Sequence, residues 1–549
     1  MKPHLPIALL AALMGCFVAH AVEIPNDYQQ ISLRSEGDLN AYTINSAKGK
    51  YAFLLESDLA FSTSTNETWT DSTPLVDGGN LLFTSADGFD LRALSFSNGA
   101  NSVFYQPTTL TFDTLSNLTI KGQSGAPAVD LGEFGKLYIR NVNDGVDNPN
   151  VADVLFSGNS MKPDANSDYH GSIVSSGDDT IIDISYNGDV VFSGNTATSG
   201  GGAIELAYVG VLNINHNADV TFSANTARSG GAIMAYDGEI NINNNADVTF
   251  SGNTADGPGG AIEGIGREIT ININNNTDVT FSANTASSGG AIDSIDGEIN
   301  IKNNADVTFS GNTATWNGGA IVAYDGVVNI TDNSDVTFSG NTANCWHGGA
   351  IEAGEVNINN NADVSISGNS VFLSARGGAT TYSGGGIMSW NVSINNNGEV
   401  SISGNSVDST ADSSSDSCGG AIYSRESLSI CNNGDVGISG NFVSATDTSK
   451  GGAIYSEGSL SIVGNDSVTF SKNYERLGDA YRLRSIYMSP YSNGDNLVLA
   501  AKSGGHITFY DSIYMNYRSG ATVSFNADYE DANGVTQAVS RTTYYISVG

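Results

Sequence analysis

From about Val151 to Asn473 the chain repeats one pattern of apolar and polar positions. Glu239-Ile240-Asn241-Ile242-Asn243 alternates with a period of two, which predicts a strand with one buried face. Asn244-Asn245-Ala246-Asp247 follows and reads as a turn, because Asn and Asp tolerate left-handed backbone. Val248-Thr249-Phe250 alternates again, a second strand with Val and Phe inward. A loop of variable length comes next. Gly259-Gly260-Ala261-Ile262 then opens a third strand, its small residues letting neighbouring backbones approach. No 3.6-residue period appears, which excludes helical repeats. Three short strands and three turns in about 29 residues make one coil of a solenoid. The expected fold is all-β, a right-handed parallel β-helix with coils of roughly 28–36 residues.

Two motifs mark the coils. Phe-x-x-Asn recurs at Phe156/Asn159, Phe192/Asn195, Phe222/Asn225, Phe250/Asn253, Phe281/Asn284, Phe309/Asn312, Phe338/Asn341 and Phe470/Asn473. Ile replaces Phe at Ile366/Asn369, Ile402/Asn405 and Ile438/Asn441. Between anchors, Gly-Gly-Ala-Ile begins at Gly201, Gly230, Gly259, Gly289, Gly318, Gly348, Gly419 and Gly451, so that Gly230-Gly231, Gly259-Gly260 and Gly318-Gly319 are equivalent pairs. Coils stacked at about 4.8 Å would align the Phe side chains in an interior ladder and the Asn side chains in an amide ladder, each bonding to the next coil. Asp219, Asp247, Asp306 and Asp363 would also align. Like charges at that spacing repel, so they are expected in water as turn residues. The glycine-rich calcium repeat of β-helices is absent, and no metal or cofactor is expected.

The ends differ from the middle. Met1 to Ala21 has a lysine, an apolar run and a small-x-small Ala19-His20-Ala21 site, which predicts an export signal cleaved before Val22. Leu13-Met14-Gly15-Cys16 offers lipidation at Cys16 as the rival. Residues 22–150 carry strand-like pieces without clean motif copies and are expected to be irregular coils with a cap. The repeats fill 151–473, and the Tyr-rich 474–549 would close the other end. No later apolar run reaches the length of a membrane-spanning helix. Cys345, Cys418 and Cys431 are too few for a disulfide framework; Cys418 with Cys431 is the one bridge open to them.

Charge narrows the partners. With 22 Lys+Arg against 58 Asp+Glu the formal net charge is -36, which excludes a basic nucleic-acid groove. Charged residues are only 15% and hydrophobic ones 40%, so the acidity is not that of a disordered tail.

The alternation of Phe-x-x-Asn with Gly-Gly-Ala-Ile in an exported chain resembles the chlamydial polymorphic outer membrane protein repeat. The segment from Asn496 to Ile513 resembles the closing segment of that family's passengers. The resemblance implies an autotransporter passenger, a β-helical surface adhesin, placed at a bacterial outer membrane or released outside the cell. Family members normally carry a C-terminal translocator barrel, and the residues after Asn473 are too few for a typical one. The expectation is a passenger without its translocator, whether from a truncated gene, a fragment or a stand-alone shaft.

Little points to catalysis. His170, His216, His347 and His506 fall at different places in different coils, so no nucleophile–base pair is indicated. Parallel β-helices do host polysaccharide lyases and glycosidases, and acids clustered in one groove would favour that rival; a ligand-free stalk is the third reading. The variable loop is the informative position, because insertions at one point of a solenoid repeat emerge on one edge. Trp316 and Trp346-His347 occupy it one coil apart, Ser370–Gly384 is long and contains Tyr382, and Ser406–Ser417 contains Asp408 and Asp412. Indoles beside polar loops can grip a glycan or a host-cell protein, or fold back to cap their own loops. Tyr208 and Tyr236, at corresponding turns, are expected to stack for stability. End-to-end self-association stays open.

Overall fold

The computed structural model of the 549-residue chain describes residues 24–35, 38–39, 49–62, 76–77, 79–86, 92–98, 102–124, 126–140, 153–160, 171–373, 383–409, 417–445, 448–489 and 496–515, with short strands beyond at 522–525, 528–530, 536–538 and 544–545. The signal-like segment 1–21 lies outside them. The described chain is a parallel β-helix. Equivalent strands of successive coils pair in parallel, residue for residue: Asp219 with Asp247, Asp247 with Asp278, Asp278 with Asp306, Asp306 with Asp335. Antiparallel pairs occur late in the chain, Tyr474–Leu477 with the start of Ala480–Met488 and Asp528–Glu530 with Thr536–Ala538.

One face is a 16-stranded sheet built from the Asp-Val-Thr-Phe-Ser strands. Asp247–Ser251 shows why it forms: Val248 and Phe250 are buried, while Asp247, Thr249 and Ser251 alternate outward. The Phe rings stack with centroids 4.7–4.8 Å apart from Phe192 through Phe338, tilted by no more than 3°. The ladder is longer than the motif. Phe61, Phe96 and Ile120 pair in the same register and lead to Phe156, although the 22–150 region has no clean motif. At the other end Phe470 stacks on Phe509 at 4.6 Å. One apolar core runs from Ile31 to Phe509.

The remaining strands correct the three-strand expectation. The Gly-Gly-Ala-Ile strand (Ile233–Tyr236) and the Ile-Asn strand (Gly238–Asn243) are separate in early coils. They fuse into one from Ile321–Thr331 to Ile422–Cys431 and part again at Ile454–Ser456 and Ser459–Val463. The segment read as all loop opens with a further strand, Thr-Ala, at Thr226–Ala227, Thr254–Ala255, Thr285–Ala286, Thr313–Ala314 and Thr342–Ala343. It widens at Ser370–Leu373, Ser406–Ser409 and Phe442–Ala445, where Val371, Leu373, Val407 and Val443 join Ala343 in a second small core. Two residues per coil carry too little alternation to announce a strand.

Two corners share one grammar: a residue with positive φ, then a buried Asn. At one, Gly252 (φ 60°) precedes Asn253; at the other, Asn244 (φ 58°) precedes Asn245. The first is the expected amide ladder. Asn225 Nδ2 donates to the Phe192 carbonyl at 2.9 Å and to Asn253 Oδ1 at 3.0 Å, and the Asn225 N–H donates to the same Oδ1. Asn195 and Asn341, near the two ends of the Phe stack, are held alike. Asn195 Nδ2 donates to the Phe156 carbonyl at 3.0 Å and to Asn225 Oδ1 at 2.9 Å. Asn341 Nδ2 donates to the Phe309 carbonyl at 3.0 Å and to Asn369 Oδ1 at 2.9 Å. These bonds include the expected one from Asn195, Asn341 and their equivalents to the next coil and add a second. Each bonds the coil behind as well, because the corner leaves a Phe carbonyl that must be paired once buried. Asn195 also departs from the bare repeat: its Oδ1 accepts from Ser172 Oγ at 2.9 Å in addition to the Asn159 amide.

The pattern passes from Asn159 to Asn473 and ends on Asp511, whose Oδ2 accepts from Asn473 N, Asn473 Nδ2 and Ser485 Oγ. The second ladder, Asn187 to Asn465, was read from the sequence only as turn residues. Asn245 Nδ2, for example, donates to the Ile214 carbonyl and to Asn276 Oδ1.

The paired glycines do different things. From Gly230 onward the first takes positive φ, 58° at Gly318. The second sits where a Cβ would lie 2.1 Å from the next coil's carbonyl, as Gly319 does against Gly349 O. Either would be strained as Ala. Cys345, Cys418 and Cys431 form no disulfide. Cys418 is instead packed among Met388, Tyr423 and Tyr455.

Removing one rung should therefore cost far more than its surface appearance suggests. Asn312→Ala leaves the Asn284 N–H and amide without their acceptor and the Phe281 carbonyl without its donor. The expected loss is about 3 kcal/mol, whereas Asn241→Ala on the half-buried outer face should cost under about 1 kcal/mol. Urea denaturation followed by circular dichroism reads both.

Candidate binding edge

The predicted loop edge exists, and its composition differs from expectation. Trp316 and Trp346 lie on adjacent coils with ring centroids 5.2 Å apart, and each remains over a third exposed. Their backbones are tied as well: Trp346 N–H donates to the Trp316 carbonyl, and Trp316 N–H to Ser287 O. The indoles thus support each other while keeping a face to solvent, between the two readings of the sequence. His347 does not join that surface. It is 7% exposed and turned into the coil, and its carbonyl takes the Gly318 N–H. This is a correction to its expected role. Asp408 sits half-buried in the strand Ser406–Ser409, paired with Phe372 and Ser444. Tyr382 and Asp412 lie outside the described residues. The ladder residues Asn195 and Asn341 are fully buried and present nothing to a ligand at this edge.

Phe372 was missed. It stands on the coil between those of Trp346 and Asp408 and is 45% exposed. The signal was in Ser370-Val371-Phe372-Leu373: with Val371 and Leu373 inward, period two sends Phe372 outward. Trp316, Trp346, Phe372 and Asp408 therefore occupy four consecutive coils on one edge. Tyr208 and Tyr236 also depart from expectation. They are 52% and 45% exposed and their rings do not stack on each other.

Beneath the loop edge runs a row of buried carboxyls that the sequence reading did not identify. The residue after Gly-Gly-Ala-Ile is Glu263, Asp293, Val322 and Glu352 in successive coils, aligned by strand pairing. Alternation turns these side chains away from the core, but the variable loop roofs them, and all are under 5% exposed. Glu263 Oε2, Asp293 Oδ1 and Glu352 Oε2 receive no hydrogen bond. Burial pushes the Glu263 carboxyl up to about 8, with the neighbouring Asp293 adding to it and a Ser229 hydrogen bond opposing. Glu352 is pushed up to about 7 by burial, opposed by a bond from Asn317, the neighbour of Trp316. Asp293 rises to about 6 through burial. From Met388 onward the same position carries Tyr423, Tyr455 and Tyr487, whose rings stack at 5.2 and 5.5 Å.

The other acidic row is open to water. Asp278, Asp306, Asp335, Asp363 and Glu399 line a shallow trough along the 16-stranded sheet. Asp219, Asp278 and Asp335 are pushed up, first by lost hydration against the sheet and then by the carboxylates of adjacent coils. No Lys, Arg or His lines the trough. Its rungs are chemically alike, so environment does not divide them into an acid and a base. Among the described residues no group of three or more His, Cys, Asp or Glu is arranged to hold a metal ion. His216 lies against Tyr186 at 4.8 Å, and His506 is exposed on a strand of a much later coil.

These features define a class first: a solenoid in which two asparagine ladders and a phenylalanine stack hold a rigid shaft and one edge carries the variation. The repeat is that of a known family. The model of the Chlamydia polymorphic membrane protein repeat matches residues 189–206, 219–236, 247–264, 278–294, 306–324 and 335–354, so the chain carries six copies of it. Each copy opens at or beside the Asp-Val-(Thr/Val)-Phe strand and closes in or just after the Gly-Gly-Ala-Ile strand. Comparison with curated proteins and with solved structures finds no match. No helix of the described residues is long and apolar enough to cross a membrane.

The buried carboxyls set a pH dependence. Each holds, when folded, a proton that the unfolded chain releases above the ordinary carboxyl range. Their contribution is whole below about pH 4 and is lost as pH rises through 6 to 8. The melting temperature should fall by several degrees between pH 5 and pH 8.5. Glu263→Gln with Glu352→Gln should remove at least half of that slope, read by calorimetry across the pH range.

Proposed function

We propose that the chain is an exported adhesin-like passenger of the autotransporter kind, held at the bacterial surface or released, and that it acts by binding without catalysis. Its ligand is a host-cell protein or glycan, met at the edge of Trp316, Trp346, Phe372 and the long loops. The observation that carries this reading is the Trp316–Trp346 pair: two indoles on adjacent coils, in ring contact and each kept partly exposed at the edge where the variable loops emerge. The carriage of the polymorphic membrane protein repeat supports the placement at a surface. The ladders supply stiffness and the edge supplies variation, which suits a shaft that holds a recognition surface away from its attachment.

Beads bearing the purified chain should bind epithelial cells or a mucin-type glycan surface saturably. Trp316→Ala with Trp346→Ala should lower that binding at least tenfold while the β-sheet circular dichroism stays unchanged. Equal binding by the folded double variant would remove this edge from the reading.

One observation favours a second reading. The trough puts carboxylates on neighbouring coils, whose strands lie about 4.8 Å apart, and retaining glycoside hydrolysis uses two carboxylates about 5 Å apart. Polysaccharide cleavage abolished by Asp306→Asn with Asp335→Asn would establish it; the absence of cleavage by the native chain dismisses it.

A further inference from the structure

A second row of exposed side chains runs along a different corner, where the Gly-Gly-Ala-Ile strand meets the Ile-Asn strand. Strand pairing stacks Tyr236, Ile265 and Ile295. Tyr324 continues the row, because Asp296 N–H donates to its carbonyl as Asp237 N–H does to Ile265. Gly354 holds the next coil, and Trp390 the one after, between the pairs Ala353–Ser389 and Glu355–Asn391. On the preceding coil Ala207 follows the pair Leu206–Ala235 and so stands at the register position of Tyr236, with Tyr208 next to it at the same corner. Tyr208, Tyr236, Ile295, Tyr324 and Trp390 are 52%, 45%, 42%, 54% and 39% exposed. Among the described residues, the Trp390 ring carries another group, the Arg425 guanidinium, and the Tyr208, Tyr236 and Tyr324 rings carry none. Half-exposed apolar side chains in one line along a shaft contribute little to its core, and a line of them is an interaction feature.

Charge gives the occupant. Asp237, Asp296 and Asp325 directly follow Tyr236, Ile295 and Tyr324, so each apolar group on these coils has a carboxylate beside it. The chain's own scarce cations already settle here in both ways available. The Arg425 guanidinium lies 5.3 Å over the Trp390 ring. Arg267, 89% exposed, still reaches Asp296 at 3.5 Å.

We propose that this corner is a docking face distinct from the loop edge, and that its occupant is an extended, arginine-bearing segment of a partner protein. A guanidinium is planar, stacks on aromatic faces and pairs with a carboxylate, so a row that holds both aromatic rings and acids suits it better than it suits an ammonium. The net charge of -36 draws a basic segment in from a distance. A second copy of this chain is a poor occupant, having 22 basic residues against 58 acidic ones. From Tyr208 to Trp390 the row spans roughly 30 Å at ~4.8 Å per coil, the length of about nine residues of extended chain.

The test titrates the purified chain with a dodecapeptide of alternating arginine and serine, and with its lysine counterpart of equal charge. The arginine peptide should bind saturably and at least fivefold tighter than the lysine peptide. Tyr236→Ser, Tyr324→Ser and Trp390→Ser together should weaken it at least tenfold, while Trp316→Ala with Trp346→Ala leaves it unchanged. In case the triple variant is unfolded by circular dichroism, the folded chain carrying Trp316→Phe and Trp346→Phe is read by fluorescence. The arginine peptide should change its emission, and the change should vanish with Trp390→Phe. Equal binding of the two peptides, no binding of either, indifference to the folded triple variant, or an emission change that survives Trp390→Phe would each overturn the proposal. Loss of binding through the Trp316–Trp346 variant would assign the peptide to the loop edge and overturn it as well.

Discussion

Everything in this molecule depends on the hydrogen bonding of asparagine at the two corners. A coil that turns sharply must hide backbone groups that no strand can pair. Asn225 resolves this with one side chain: its amide nitrogen reaches the Phe192 carbonyl behind and the Asn253 oxygen ahead, and that oxygen also takes the Asn225 N–H. The arrangement works only if every coil places an Asn at the same spot, because each supplies the acceptor for its predecessor. An unmatched amide in the interior costs more than the bond returns, so the ladder is stable as a whole and fragile at any rung. The preceding left-handed residue follows from the same constraint, since it turns the chain so that the Asn points inward.

The phenylalanine stack and the paired glycines are consequences of that spacing. Once the coils are held in register, equivalent Phe side chains meet face to face at 4.7 Å and fill the interior without rearrangement. Gly319 permits an approach that any Cβ would block. The Ile substitutions at Ile366, Ile402 and Ile438 keep the apolar rung without the ring, which shows that the ladder requires volume and register more than aromaticity. The amide ladder crosses that change undisturbed, since Asn341 on a Phe coil donates to Asn369 on an Ile coil at the usual distance. The array closes on Asp511, a carboxylate that takes the donors of Asn473 and passes nothing on.

With the shaft so constrained, variation is confined to places that stacking does not police. The loop edge carries Trp316, Trp346 and Phe372; the corner at the far end of the Gly-Gly-Ala-Ile strand carries Tyr236, Tyr324 and Trp390. Between them the roofed carboxyls Glu263, Asp293 and Glu352 are an energetic weak point maintained under the loops. Stability rises as they protonate, so mild acid firms the same edge that carries the indoles.

Much of this was legible in the residues because a parallel solenoid turns sequence period directly into spatial neighbourhood. Phe-x-x-Asn and Gly-Gly-Ala-Ile at near-constant spacing determined the parallel β-helix, the interior Phe ladder, the first Asn ladder and the exposed Asp row. The same period placed Trp316 and Trp346 on one edge. Tertiary structure decided what a single coil does not encode. Asn195 and Asn341 were placed on the ladder by their spacing, but only the packed corner shows that each also bonds a Phe carbonyl of the coil behind. Asn245 reads as a turn residue until the next coil supplies its acceptor. Glu263 reads as an outward strand residue until a loop from a neighbouring stretch roofs it. Phe61 and Phe96 lack the motif and still join the ladder, because register is transmitted from coil to coil by backbone pairing. His347 was misplaced because the fold of its loop, and not its position in the repeat, sets which way its ring faces. Period determines which residues align; only the packed chain determines which aligned residues meet water.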